Sequence, residues 1–191
     1  MAPLYGGPHD YMNVIRTGIE GPLVIEPKVF GDERGYFFES FNARDFRALT
    51  GLDVVFVQDN ESRSQRGVLR GLHFQKEPFA QAKLLRVVRG RVQDVAVDLR
   101  PDSPTFGKHV SRILSAENHL QMFIPAGFAH GFLTLEDDTV FQYKCSCFYE
   151  PSAEGSVRWD DPQLAIPWMD PGVPLIISPK DLAAPPLIGR L

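Results

Sequence analysis

The sequence predicts an all-β fold of the sandwich or jelly-roll kind. Three observations carry that reading. Short apolar or alternating stretches recur, separated at short intervals by turn residues, and Gly and Pro number 16 each among 191 residues. Phe occurs 14 times, and large aromatic side chains favour strands. Only one segment reads well as a helix.

Taken in order, residues 23–29 and 36–41 fit strands. Residues 42–51 form the helical segment, because Asn42 can cap it and Gly51 can stop it. Further strands fit 68–75, 84–88, 92–99, 111–114, 121–124, 131–135 and 141–149, with Gly90 parting two of them. Val95, Val97 and Leu99 alternate with Asp94, Ala96 and Asp98, the period of a half-buried strand. In 141–149, Phe141, Tyr143, Cys145, Cys147 and Tyr149 share one face. The last forty residues are rich in Pro and are expected to wrap the outside. Residues 1–191 read as a single domain.

Composition narrows the function. The chain is 43% hydrophobic and 23% charged, enough to build a core. A net charge of −4 argues against a nucleic-acid binder but leaves room for a local basic pocket. No apolar run is long enough for a membrane span. Residues 1–18 hold no apolar stretch of the kind a secretory leader needs. The two cysteines, Cys145 and Cys147, fit a reduced, cytoplasmic setting.

Five histidines are candidates for chemistry: His9, His73, His109, His119 and His130. His73 lies in an apolar strand that also holds Arg70. His130 follows a Pro/Gly turn that feeds a strand. Buried cations cost solvation free energy unless paired, so a barrel interior holding them is a candidate polar pocket. Lys83 shares a face with Leu85 and Val87; it is either an edge lysine with its head in water or a cation of that pocket. Tyr143, on the apolar face, needs a hydrogen-bond partner if buried. Arg70 and His73 are three positions apart, so strict alternation sets them on opposite faces unless Gly71 bends or bulges the strand. Cys145 reads as a buried structural thiol. A Pro-x-Gly-x-x-His turn at 125–130 is similar to that of metal-dependent cupins. The first motif has one His and no close Glu, short of the three ligands a catalytic metal wants, so no metal is expected.

Ten segments in order resemble the dTDP-4-dehydrorhamnose 3,5-epimerase family, of the RmlC-like cupin fold. They are 32–39 (Asp-Glu-Arg-Gly-Tyr-Phe-Phe-Glu), 58–62 (Gln-Asp-Asn-Glu-Ser), 67–75 (Gly-Val-Leu-Arg-Gly-Leu-His-Phe-Gln), 83–90, 94–100, 103–107 (Ser-Pro-Thr-Phe-Gly), 124–132 (Ile-Pro-Ala-Gly-Phe-Ala-His-Gly-Phe), 143–145 (Tyr-Lys-Cys), 154–162 and 178–181 (Ser-Pro-Lys-Asp). The match covers about residues 20 to 182. It implies a cupin-type jelly roll, or double-stranded β-helix, with a few short helices. It also implies a cofactor-independent enzyme that inverts two carbons beside the ketone of dTDP-4-keto-6-deoxy-D-glucose, in L-rhamnose biosynthesis.

By resemblance His73 is the base, Asp181 orients it, Tyr143 is the opposing acid and Lys83 faces the keto oxygen. Arg34 and Arg70 meet the diphosphate with Lys180 nearby, and Phe30 stacks on the thymine. Glu39, Gln58, Asn60, His130 and Glu154 fall on the family's binding positions. His109 and His119 match no catalytic position. The resemblance further implies a homodimer with exchanged N-terminal strands. Ser146, Cys147 and Phe148 depart from the polar residues the family often carries after Tyr-Lys-Cys, which bears on fine specificity. Four alternatives remain from sequence: a single-carbon epimerase of a related deoxysugar, a cupin ketoisomerase, a non-catalytic sugar-nucleotide binding cupin and, last, a metal-dependent cupin oxygenase.

Overall fold

The computed structural model describes residues 11–187. His9 and the leader reading of the first residues fall largely outside that range. Fourteen strands are numbered here in chain order. They are β1 (Met12–Arg16), β2 (Leu23–Pro27), β3 (Phe30–Asp32), β4 (Gly35–Phe37), β5 (Gln58–Ser64), β6 (Val68–Gln75), β7 (Lys83–Arg89), β8 (Arg91–Asp98), β9 (His109–Ser115), β10 (Gln121–Ile124), β11 (Phe128–Thr134), β12 (Thr139–Cys145), β13 (Glu154–Ser156) and β14 (Ile176–Ile177). Two short helices are α1 (Ala43–Thr50) and α2 (Pro179–Leu182).

The strands make two facing sheets. One runs β1-β2-β10-β7-β12-β5, the other β13-β6-β11-β8-β9, with β14 added parallel to β6. β3 and β4 form a hairpin of their own. The expected all-β jelly roll is what forms.

Three apolar layers hold it together. Between the sheets lie Leu85, Val87, Val92, Ala96, Met122, Phe132 and Phe141, among others. Outside the first sheet, α1 packs Phe46 onto Leu23, Ile25, Leu84 and Phe123. Outside the second, the C-terminal segment lays Val157, Leu164 and Leu187 over Leu72, Val95, Val97 and Ala129. Because both faces are covered, β10 and β11 are buried throughout, which suits their mostly apolar sequences. α1 ends as its residues predict. The Asn42 side chain accepts from the N–H groups of Arg44 and Asp45, and Gly51, at φ 74°, closes onto Arg47 O.

Several boundaries differ from the sequence reading. Residues 92–98 are not half-buried: Val95 and Val97 face the C-terminal wrap, while Asp94 and Ala96 face the space between the sheets. β5, Gln-Asp-Asn-Glu-Ser-Arg-Ser, is absent from the strands read in the sequence, because its inward side chains line a polar cavity and give no apolar signal. β12 stops at Cys145, where the chain turns and Ser146 N–H donates to Ala82 O, so Cys147 and Tyr149 leave the strand face. β11 starts at Phe128, putting His130 on the strand rather than in the turn.

One irregularity places the site. In the β6–β11 pair His130 opposes His73 and Phe132 opposes Arg70, so a step of two on β11 meets a step of three on β6. The extra residue is a bulge, and it turns Arg70 and His73 to the same side. Gly71 has φ 121°, and a Cβ there would meet Gly131 Cα at 2.6 Å and His130 O at 2.8 Å. Only glycine allows that backbone and that approach. The Gly71→Ala variant is therefore expected to lose about 2–4 kcal/mol of stability by urea unfolding. A midpoint equal to the wild type would show that the bulge tolerates a side chain.

Candidate active site

The mouth between the sheets opens into a cavity of about 460 Å³. Its wall includes Arg70 and His73 from β6, Lys83 from β7, His130 and Phe132 from β11, Tyr143 from β12, and Lys180 and Asp181 from α2. A second cavity of about 260 Å³ shares His73, Lys83 and Tyr143 with the first. Gln58, Asn60, Cys145, Tyr149 and Glu154 line this second part.

Asp181 arrives from the other end of the chain. Ser178 caps α2, its hydroxyl accepting from Asp181 N–H at 3.1 Å, and β14 anchors the segment beside β6. Asp181 Oδ1 then lies 2.6 Å from His73 Nε2, and Gly71 N–H donates to Oδ2 at 3.4 Å. An ionised carboxylate only accepts, so Nε2 carries the proton and Nδ1 keeps a free lone pair. Burial pulls the His73 pKa below 6.5, the nearby Lys83 and Lys180 charges add to that, and Asp181 opposes it.

Lys83 is half-buried and aimed into the cavity, and no hydrogen bond or ion pair engages its ammonium among the described residues. Its nearest defined contact is the ring of Tyr143, 5.9 Å away. Burial lowers its pKa from 10.5, against the pull of Cys145, Asp94 and Glu154. Burial raises the Tyr143 phenol above 10, with Cys145 adding and Arg70 opposing. Both shifts keep the His73 imidazole and the Tyr143 phenol uncharged at neutral pH.

The rest of the lining is held by polar partners. Arg70 donates to Ser64 Oγ at 3.3 and 3.2 Å, leaving other guanidinium donors free for a ligand. Lys180 pairs with Glu154, which also accepts from the Tyr149 hydroxyl at 3.0 Å. Gln58 donates to Asn60 at 3.0 Å, and Asn60 donates to the Cys145 sulfur at 3.6 Å. His130 is buried with Nε2 2.7 Å from Asp94 Oδ2. Among the described residues no group of three or more His, Cys, Asp or Glu side chains is placed to hold a metal.

The comparisons with known proteins agree with this geometry. The family model described as dTDP-4-dehydrorhamnose 3,5-epimerase matches residues 16–188. The chain belongs to the dTDP-4-dehydrorhamnose 3,5-epimerase family. It is 55% identical to the enzyme of that name from Escherichia coli K12, over 89% of this chain and 91% of that one. A crystal structure from Legionella pneumophila, in complex with dTDP-4-keto-L-rhamnose, superposes with a TM-score of 0.89 at 53% identity, covering 92% and 93% of the two chains. The 3'-monoepimerase ChmJ from Streptomyces bikiniensis, bound to dTDP-quinovose, is more distant: 39% identity, TM-score 0.84, 89% and 85% coverage.

Ten of the thirteen residues assigned by resemblance to this epimerase family line the joined cavities: His73, Asp181, Tyr143, Lys83, Gln58, Asn60, Arg70, His130, Glu154 and Lys180. The other three do not. Phe30 and Arg34 stand on the exposed β3–β4 hairpin, where Arg34 pairs with Asp32 beside it. Glu39 lies just after it, with carboxylate oxygen Oε1 buried and unpartnered. Sequence reasoning missed Asp94, whose only signal was a carboxylate inside an apolar strand. It also missed Tyr149, Gln75 and Gln81, which line the second cavity.

The His73–Asp181 geometry has a direct consequence. Asp181 raises the His73 pKa, so the Asp181→Asn variant should move it further below 6.5. NMR titration of the His73 ring protons measures this, and an upward shift would contradict the pairing.

Proposed function

We propose that this protein is a dTDP-4-dehydrorhamnose 3,5-epimerase. It converts dTDP-4-keto-6-deoxy-D-glucose to dTDP-4-keto-L-rhamnose. The observation that carries the reading is one cavity holding a His–Asp pair, an unpartnered ammonium and a phenol. Those are the groups needed to take a proton from one face of a carbon beside a ketone and return one to the other.

The step balances on these residues. Nδ1 of neutral His73 removes the proton from C3 or C5, and the bonding pair shifts toward O4 as an enolate. The Lys83 ammonium faces that oxygen and stabilises charge that is absent from the ground state. Asp181 stabilises the imidazolium formed at His73. The Tyr143 phenol donates a proton to the opposite face; His73 then gives its proton to water and the Tyr143 phenolate takes one from water, and the cycle repeats at the other carbon. The reaction is redox-neutral and the ketone itself acidifies the C–H bonds, so the chemistry calls for no cofactor. Arg70 and Lys180 supply cations for the diphosphate, with Gln58, Asn60, His130 and Glu154 holding the rest of the substrate.

The protein acts as a homodimer in this reading. Phe30, Arg34 and Glu39 are away from their own chain's cavity, and the hairpin that carries two of them exposes Phe30, Tyr36 and Phe37. We place these residues at the cavity of a second copy, with N-terminal segments exchanged. Among the described residues no helix is long and apolar enough to cross a membrane.

The deciding experiment follows the sugar protons by NMR in D2O with dTDP-4-keto-6-deoxy-D-glucose. Deuterium at both C3 and C5 is the expected result. Incorporation at one carbon would make the protein a single-carbon epimerase, and none at either would remove the assignments of His73 and Tyr143. The His73→Ala variant should lose about 1000-fold or more in kcat while binding dTDP within a few-fold of wild type.

The pH profile of kcat/KM should be bell-shaped. Activity rises as pH climbs through the His73 pKa, below 6.5, because the base must be neutral. It falls as pH climbs through the Lys83 pKa, below 10.5, because the ammonium must stay charged. An acid limb centred above 6.5 would count against His73 as base. Complementation tests the dimer. Refolding equal amounts of His73→Ala chains and Arg34→Ala/Glu39→Gln chains together should return about a quarter of wild-type activity, since half the dimers are mixed and each has one intact site. No recovery would mean that these residues do not serve the other copy.

A further inference from the structure

His119 is a histidine that the proposed chemistry does not use, and its surroundings are specific. Hairpin β3–β4 pairs with neither main sheet, and all six of its strand residues are exposed. Nothing in its own hydrogen bonding sets its angle to the barrel. Its outgoing end meets a ring stack. The His119 imidazole lies 4.9 Å from the Tyr36 ring and 5.1 Å from the Phe38 ring, tilted by 53° and 45°. Tyr36 and Phe38 are themselves 5.9 Å apart at 23°. The Arg86 guanidinium of β7 adds a further contact, 5.8 Å from the Phe38 ring.

The mount of this ring is rigid. His119 sits in the turn between β9 and β10 at φ 54°, a conformation that His adopts more readily than most residues. Asn118 beside it ties the turn. Its Oδ1 accepts from the N–H groups of Ser115 and Leu120, and its Nδ2 donates to Ile113 O. Ser115 Oγ accepts from Asn118 N–H in return. A fixed turn thus holds one ring against two rings at the outgoing end of the hairpin, while at its incoming end Phe30 meets Tyr11 at 5.9 Å and the Lys28 ammonium at 5.4 Å.

We propose that His119 is the positioning residue of the hairpin, setting the angle at which Phe30, Arg34 and Glu39 are presented to the dTDP-sugar. The inference rests on the reading that those three residues meet the nucleotide. His119 touches no substrate in this arrangement and takes no part in proton transfer. Its loss is therefore felt in binding rather than in chemistry.

The test is the His119→Asn variant, since Asn tolerates the same positive φ and removes only the ring. KM for the dTDP-sugar and Kd for dTDP by calorimetry should each rise about tenfold, the worth of a lost pair of ring contacts. kcat should stay within about two-fold and Tm near wild type, as positioning without chemistry requires. His119→Phe keeps a ring at that place and should restore most of the affinity. Unchanged KM and Kd in His119→Asn overturn the proposal. So does a fall in kcat of the same size that Phe does not rescue, which marks a general packing defect. If the Asn variant is insoluble, Phe38→Leu breaks the stack from the hairpin side and should give the same rise in KM; an unchanged KM there overturns the proposal equally. A wild-type protein that binds no dTDP would instead take down the reading of Phe30, Arg34 and Glu39, and the inference with it.

Discussion

Two glycines in backbone contact, Gly71 on β6 and Gly131 on β11, set the geometry on which the site depends. Where they meet, β6 carries one residue more than its partner strand, and the bulge brings Arg70 and His73 to one wall. The same local geometry turns the Gly71 N–H toward Asp181. Glycine is required on both strands: a Cβ on Gly131 would lie 2.7 Å from Arg70 O. Without the bulge, pleating would send either the guanidinium or the imidazole into the apolar layer beneath the C-terminal wrap. Desolvation of a cation there would be costly.

The second constraint is electrostatic. A protein of net charge −4 gathers Arg70, Lys83 and Lys180 around one cavity. Arg70 rests on a neutral hydroxyl and Lys180 on an exchangeable surface carboxylate, so both can turn to an incoming anion without breaking a buried pair. Lys83 has no hydrogen-bond or ion-pair partner among the described residues. Burial disfavours its charge, and the carboxylates of Asp94 and Glu154 act against that. A preorganised, unpaired donor is most useful where negative charge appears only during the reaction.

Much of this was legible in the sequence. The helix caps at Asn42 and Gly51, and the strands around Lys83, Val95 and Met122, follow from local patterns. The possibility that Gly71 bulges its strand was also visible, though spacing alone left it open. What local patterns missed has physical causes. β5 is polar because its inward residues face a wet cavity, so it gives no hydrophobic signal. The β8 alternation looked half-buried because the cover on its second face comes from residues 157–187, far along the chain. His73 and Asp181 are 108 positions apart, and no periodicity connects them; ordered motif resemblance did. His119 carried no motif, and its ring contacts appear only in three dimensions.

The placement of Asp181 also orders events in time. The strands β1–β12 come from residues 12–145, so a chain made N-terminus first can assemble both sheets before residue 181 exists. His73 then stands without the carboxylate that fixes its tautomer and without the part of the cavity wall that residues 176–181 supply. Only when Ser178 caps the last helical turn and β14 docks on β6 does the pair close. A late segment of the chain thus completes the His73–Asp181 pair and closes the wall around it.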